Sequence, residues 1–404
     1  MALSLPTTAD AMAAPARRPD GVALALGGML ALASAMGIGR FVYTPILPPM
    51  AEALRLSKAD AGLIASANFA GYLAGALMTA LPRLPGSRRG WFLGALALGA
   101  GTTAAMALVG SLAAFMLLRF LGGAASAFVL VLSASVVVER LSAAGRSGLA
   151  GLHFGGVGIG IAVSALLVDG LEALGTGWRP LWLASGLAAG VVVPLVAWLV
   201  PAAPPVHAAP PKAAGPQAKA ARGLGWLCLS YGLFGVGYVV TATFLVVAVR
   251  TAPGARLLEP VVWLVVGLAM IPSPVIWVRL GARWGLLRAY AAACLLEAVG
   301  VAAGGVWPGA GGALLASVLL GGTIMGITAL LAGTARALWP DQHRRVFALM
   351  TAGFGVGQIA GPLGAGWLMD RTHGFVLPSL LAAAALAGAA VVATRVAEPG
   401  SPQR

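Results

Sequence analysis

Two arginines stand inside long apolar runs, and they are where chemistry would begin. Arg40 lies in AMGIGRFVYTPILPPM, residues 35–50, ahead of Pro45, Pro48 and Pro49. Arg119 lies in LLRFLGGAASAF, residues 117–128. In a membrane helix a guanidinium costs roughly 3 kcal/mol on translocon-type scales, so it faces a bundle interior or a watered cavity. The prolines free backbone carbonyls, which lipid tolerates only where neighbouring helices or water satisfy them. Arg40 falls roughly 9 Å past the centre of its run at about 1.5 Å per residue, and Arg119 reaches a similar depth from the other end. Neither has an obvious carboxylate partner in the first half of the chain. Glu52, Asp60, Asp169, Glu172 and Glu139 all fall near run ends. Two unpaired guanidinium groups at one depth would favour an anion, because Arg offers a carboxylate a bidentate fork. The alternative is that each bonds backbone carbonyls or snorkels outward.

Weaker polar signals accompany them. Tyr43 shares the stretch that holds Arg40. Asn68, Tyr72, Gly75 and Thr79 fall on one helical stripe, as do Arg119, Gly123, Ser126 and Ser133. Tyr231, Gly235, Tyr238 and Ala242 share a face, and Gln358 sits in a glycine-rich run. Such stripes line a cavity or permit tight packing. The substrate-contact candidates are therefore Arg40, Tyr43, Asn68, Tyr72, Arg119, Ser126, Tyr238 and Gln358. His153 is of the residue type that titrates near physiological pH, and Glu297 is the acidic residue set deep in an apolar run. Both are proton-coupling candidates, set against ordinary hydrogen-bonded or packing roles.

These residues must be positioned by membrane-spanning helices. Of the 404 residues, 59% are hydrophobic and only 9% charged, at a mean hydropathy of +0.92. Soluble domains carry about 25% charged residues, so the class is an all-α polytopic membrane protein. About 20 apolar residues are needed per crossing. Twelve runs meet that length, at 22–46, 60–81, 91–109, 112–138, 147–168, 179–200, 224–249, 259–280, 286–306, 311–335, 346–369 and 375–396. The 57 glycines suit close helix packing in lipid. Cys228 and Cys294 lie inside apolar runs and read as small hydrophobes rather than a disulfide framework. Trp91, Trp178, Trp226 and Trp339 fall near run ends, where interfacial anchoring explains them. Arg17 and Arg18 before VALALGGML imitate a cleavable signal. The apolar character continues past Ala35, so the run reads as a retained first span.

Residues 201–222, PAAPPVHAAPPKAAGPQAKAAR, have the Pro, Ala and Lys richness of an extended linker. This divides the chain into an N-terminal tail, 1–21, a six-helix bundle, 22–200, the linker, a second bundle, 223–396, and a tail, 397–404. With the N-terminus inside, the outer segments hold only Arg55, Lys58, Arg179, Arg250, Arg256 and Arg371 of the Lys and Arg outside the spans. The positive-inside rule then makes both termini cytoplasmic. The net charge of +14 thus reports orientation, not nucleic-acid binding. The halves echo each other: Gly37-Ile-Gly39 with Gly235-Val-Gly237, Gly71 and Arg83 with Gly267 and Arg279, and 153–169 with 353–370. Duplicated units of this kind mark transporters whose site lies between repeats near the midplane.

The chain resembles the major facilitator superfamily over nearly its whole length. Arg119-Phe-Leu-Gly122-Gly123-Ala124-Ala125 resembles the superfamily's fourth-helix arginine motif. Val278-Arg279-Leu280-Gly281-Ala282-Arg283 resembles its basic loop, and Arg83, Arg88 and Arg89 sit in the first-half copy. Both copies lack the usual acidic residue. Gly357-Gln358 and Gly361-Pro362 resemble its eleventh-helix element. More narrowly, GIGRFVYTPILPPM, Ala67–Tyr72 and His153-Phe154-Gly155-Gly156 are similar to the YbfB/YjiJ-type branch. The resemblance implies gating loops at Arg83, Arg88, Arg89, Arg279 and Arg283. It allows Arg119 a structural or proton-coupling role, and puts Glu297 on the periphery.

No Walker loop, metal cluster, dinucleotide fingerprint or nucleophile elbow is present in the sequence. Gly155–Gly160 follows no strand and reads as a packing surface. The expectation is a secondary transporter of the bacterial inner membrane, not an enzyme, with no cofactor. Its partners would be a small solute, the bilayer and, for a coupled carrier, protons, with no nucleic acid. The cargo reads as an organic anion, with drug or metabolite efflux by proton antiport as the near rival. A membrane receptor or scaffold without turnover is the reading from another class.

Overall fold

Apolar runs in lipid have one economical solution: a helix satisfies every backbone N–H and C=O within the segment. The computed structural model describes residues 21–79, 85–202, 218–251, 258–307, 309–340 and 342–396, without the side chains of 218–222 and 343–344. Most of the expected tails and linker, with Arg83, lie outside the described residues. In chain order the helices are α1 (Gly21–Leu32), α2 (Tyr43–Leu54), α3 (Lys58–Thr79), α4 (Arg88–Ala105), α5 (Leu112–Ser133), α6 (Glu139–Ala143), α7 (Ala150–Ala173) and α8 (Trp178–Leu199). They continue as α9 (Ala218–Thr251), α10 (Glu259–Met270), α11 (Ser273–Trp284), α12 (Leu286–Val306), α13 (Ala310–Leu338), α14 (His343–Thr372) and α15 (Val376–Ala393). Two π-helical stretches, Ala33–Ile38 and Ala134–Val138, extend α1 and α5.

Among the described residues, eleven helical spans are long and apolar enough to cross a membrane. A twelfth is the pair α10 and α11, bent by 46°. The apolar run 259–280 therefore forms a broken span. The break follows from Pro272 and Pro274, whose missing N–H groups cannot continue the ladder; Pro274 sits instead in the first turn of α11. The first run differs in detail too. Its break lies at residues 39–42, ahead of the prolines rather than at them. Pro45 falls in the first turn of α2, where an N–H would go unused.

Small residues set the packing. A Cβ on Gly71 would sit 1.8 Å from the Phe120 carbonyl oxygen, and one on Gly123 would sit 1.9 Å from that of Asn68. Helices α3 and α5 therefore touch backbone to backbone. Spans early in each half take matching partners: α1 lies on α7, and α9 lies on α14. The halves meet mainly where α3 packs on α14, α7 on α10 and α2 on α9, with smaller contacts of α7 with α11 and α2 with α10. Trp178, expected at an interface, is buried edge-on to Phe115 with Arg179 over its ring. Trp91 and Trp226 are exposed and Trp339 is half-buried. Both cysteines are free thiols.

Candidate functional site

The site is built on a change of helical register in the first span. Gly39 N–H reaches back five residues to Ser34 O at 2.8 Å, and Phe41 N–H to Met36 O at 3.1 Å. Beyond the break, Thr44 N–H tightens onto Phe41 O at 3.2 Å, and Pro45 has no N–H. The Arg40 carbonyl is left without a helical donor. Arg119 takes up the slack: Nη1 donates to Gly39 O at 2.8 Å and Nη2 to Arg40 O at 2.7 Å. Its planar fork suits two adjacent carbonyls as a single ammonium would not. Around it, Tyr43 OH donates to Ala61 O at 2.8 Å, and Asn68 Nδ2 to Arg119 O at 2.8 Å. The Arg119 guanidinium also stands over the rings of Tyr43 and Trp182. This arginine clamps a broken helix.

Arg40 is different. It is 4% exposed, yet its Nε and Nη2 have no hydrogen-bond partner. Three aromatic faces surround the guanidinium: Tyr72 at 4.2 Å, Phe69 at 4.8 Å and Phe41 at 5.4 Å from ring centre to Cζ. Cation–π contacts reach about 2 kcal/mol each when desolvated, and the cost of burying an unpaired ion is of the same order or larger. The cavity beside Arg40 also touches Arg119, Ala242 and Thr243 and holds about 10 Å³, room for one water.

In the second half, α9 and α14 hold an aromatic stack. Tyr231, Phe234, Tyr238 and Phe354 lie with their rings within 16° of parallel, and Tyr231 and Phe354 are 4.3 Å apart. Gln358 Nε2 donates to the Tyr238 hydroxyl, and its Oε1 has no partner. Sequence reading found Tyr231, Tyr238 and Gln358 but missed Phe234 and Phe354. Phe234 was legible, since 231, 234 and 238 follow one face of a helix.

The other candidates divide. Ser126 turns back onto Gly123 O at 2.8 Å within its own helix. His153 is fully buried, with Nε2 3.2 Å from Ser133 Oγ and Nδ1 unpartnered. Glu297 is also fully buried; its Oε2 accepts from Thr323 Oγ1 at 2.7 Å, and Oε1 has no partner. Neither lines the Arg40 cavity. Of the loop arginines, Arg88, Arg279 and Arg283 are exposed. Arg89 donates to Ala197 O and Val200 O, both at 2.6 Å, and so caps the C-terminus of α8.

Sequence reading also missed an ion cluster near the α2–α3 end of the molecule. Arg250 of α9 reaches Glu172 of α7 at 2.9 Å, Glu52 of α2 at 3.5 Å and Glu259 of α10 at 2.7 Å. The cluster borders a cavity of about 170 Å³ that also touches Pro45, Asp169 and Val246. Nearby on the seam, the Asp370 carboxylate accepts from the N–H groups of Lys58 and Ala59 at 2.9 and 2.8 Å, capping α3. Thr44 Oγ1 donates to Ala242 O at 2.6 Å, and Ser66 Oγ to Ile359 O at 2.8 Å.

A family model described as "uncharacterised MFS-type transporter YbfB" matches residues 32–394. The chain belongs to this family. It is a multi-pass membrane transporter of the major facilitator type, as the family and its helices together require. A mutant of the nucleoside transporter NupG has a TM-score of 0.73 at 14% identity, covering 93% of this chain and 100% of that one. A bacterial homologue of the human lysosomal transporter Spinster, solved inward-facing and unoccupied, has a TM-score of 0.64 at 17% identity, covering 95% and 96%. These likenesses carry the fold. The family and these neighbours are transporters rather than enzymes. Comparison with curated proteins finds no match.

Proposed function

We propose that this MFS-type protein is a secondary active transporter that moves a small organic anion across the bacterial inner membrane by alternating access. Two six-helix bundles, residues 22–200 and 223–396, rock about the seam, with linker 201–222 and both termini cytoplasmic. The supporting observation is Arg40: a buried guanidinium with free Nε and Nη2, no carboxylate beside it, and a place on the seam. Arg119 contributes less to this reading than its residue type suggests, because its fork is engaged by backbone. The Arg250 cluster and the Asp370 cap hold the outer end shut in this conformation. The test is a thermal-shift screen of purified protein over carboxylates, sugars, amines and drugs, repeated with Arg40→Lys. Lys keeps the charge and loses the planar fork. Carboxylate shifts should shrink selectively; equal shifts in both proteins would remove Arg40 from the site.

A second reading, efflux of an apolar drug or metabolite by proton antiport, draws on the ring panel and on Glu297 Oε1, a buried carboxylate oxygen without a partner. In that case Glu297→Gln abolishes proton-driven flux in liposomes and leaves ligand binding intact. Unchanged flux would sink the antiport reading. A receptor or scaffold would bind a ligand and show no accumulation in liposomes under any ion gradient.

A further inference from the structure

The unsatisfied groups at the seam differ in kind, and together they restrict the cargo. Arg40 offers two free donor nitrogens on one edge of a cation. Across the seam, Gln358 gives its Nε2 to Tyr238 OH, so its bare Oε1 is an acceptor awaiting a donor. One cation with no carboxylate beside it suits a single negative charge.

The far side is aromatic as well as apolar, a stack of parallel rings. The Arg40 cavity touches Ala242 of α9, and Thr44 pins that carbonyl to the first span. Tyr238 lies one turn away on the same helical face, about 6 Å along the axis. From there the parallel rings of Tyr238, Phe354 and Tyr231 continue. On the near side the Tyr72 ring lies 4.2 Å from the guanidinium. Parallel aromatic faces favour an offset-stacked ring over a puckered aliphatic one.

We propose that the cargo is a planar aromatic monocarboxylate, its anion on the free edge of Arg40 and its ring against the panel of Tyr231, Tyr238 and Phe354. This rests on the anion-carrier reading above and narrows it. In the conformation described the two walls meet, so the ring enters when the seam opens.

The test is calorimetric binding of benzoate, cyclohexanecarboxylate and benzyl alcohol to the purified full-length protein. Benzoate should bind about fivefold or more tighter than cyclohexanecarboxylate. Phe354→Leu, which stays apolar and loses the aromatic face, should erase that preference by lowering benzoate affinity to the level of cyclohexanecarboxylate. Arg40→Lys should weaken both acids about tenfold. Equal affinity for the two acids, both lowered by Arg40→Lys, overturns the aromatic proposal and leaves the anion reading standing. Benzyl alcohol matching benzoate, with no effect of Arg40→Lys, overturns the anion reading itself. Binding of none of the three by folded protein overturns both.

Discussion

If the two halves rock apart at the outer end, only contacts that cross the seam resist the opening. The Arg250 cluster contains both kinds of contact. Glu172 and Glu52 precede the linker and Arg250 follows it, whereas Glu259 follows it too. The Arg250–Glu259 pair travels together when the seam opens, and the Arg250–Glu172 pair breaks. At 2.9 Å, with the side chains 11% and 27% exposed, the Arg250–Glu172 contact lies between a surface pair and a buried one. Surface pairs contribute up to about 1 kcal/mol and hydrogen bonds to charged groups about 1.5–3 kcal/mol, so ~1–1.5 kcal/mol is the working figure. The Glu52 pair, at 3.5 Å with Glu52 63% exposed, adds little. Glu172→Gln should therefore raise the outward-open population about fivefold to thirteenfold.

Glu259→Gln should not raise it. Freed from Glu259, Arg250 can only bind Glu172 more closely, so opening stays level or falls. The readout is labelling of Val246→Cys, a residue 1% exposed that lines the same cavity, by a water-soluble maleimide in a background lacking Cys228 and Cys294. Added salt should raise labelling in the parent protein but not in Glu172→Gln, since the partly exposed pair is screened. Equal acceleration by Glu172→Gln and Glu259→Gln would refute the reasoning, because it would make the cluster a general stabiliser rather than a latch.

Three further outcomes follow from the same contacts. Arg119→Leu should cost on the order of 3–5 kcal/mol in detergent stability, because two buried carbonyls lose their donors together; thermal unfolding beside Ser126→Ala, which loses only a local bond, gives the comparison. Gly71→Val should abolish folded protein on size-exclusion chromatography, since its Cβ would fall 1.8 Å from Phe120 O, whereas Gly94→Ala meets nothing within 4 Å and should be neutral. Asp370→Asn should lower stability by about 1 kcal/mol through loss of a charged cap on α3 and also speed Val246→Cys labelling. A stable Asp370→Asn protein with unchanged labelling would remove that cap from the seam.

What the sequence discloses and what it hides divide along a physical line. Lipid forces each apolar run into a helix, so the spans can be read from length and hydropathy alone, and even the bend between α10 and α11 is written in Pro272 and Pro274. The cost of a buried charge likewise singles out Arg40 and Arg119. Which of the two is free cannot be read from residue type, because it depends on hydrogen-bond register. The five-residue reach of Gly39 and Phe41, followed by the three-residue reach of Thr44, decides which carbonyls are orphaned. Their acceptor demand is then met by a side chain 79 and 80 positions away. The same distance in sequence hides the Arg250 cluster, whose members look like unrelated charges at span ends until the seam brings them together. Arg119 thus satisfies the helix break through the carbonyls of Gly39 and Arg40, while the Arg40 side chain, carried by that same clamped backbone, keeps two donor nitrogens without a partner.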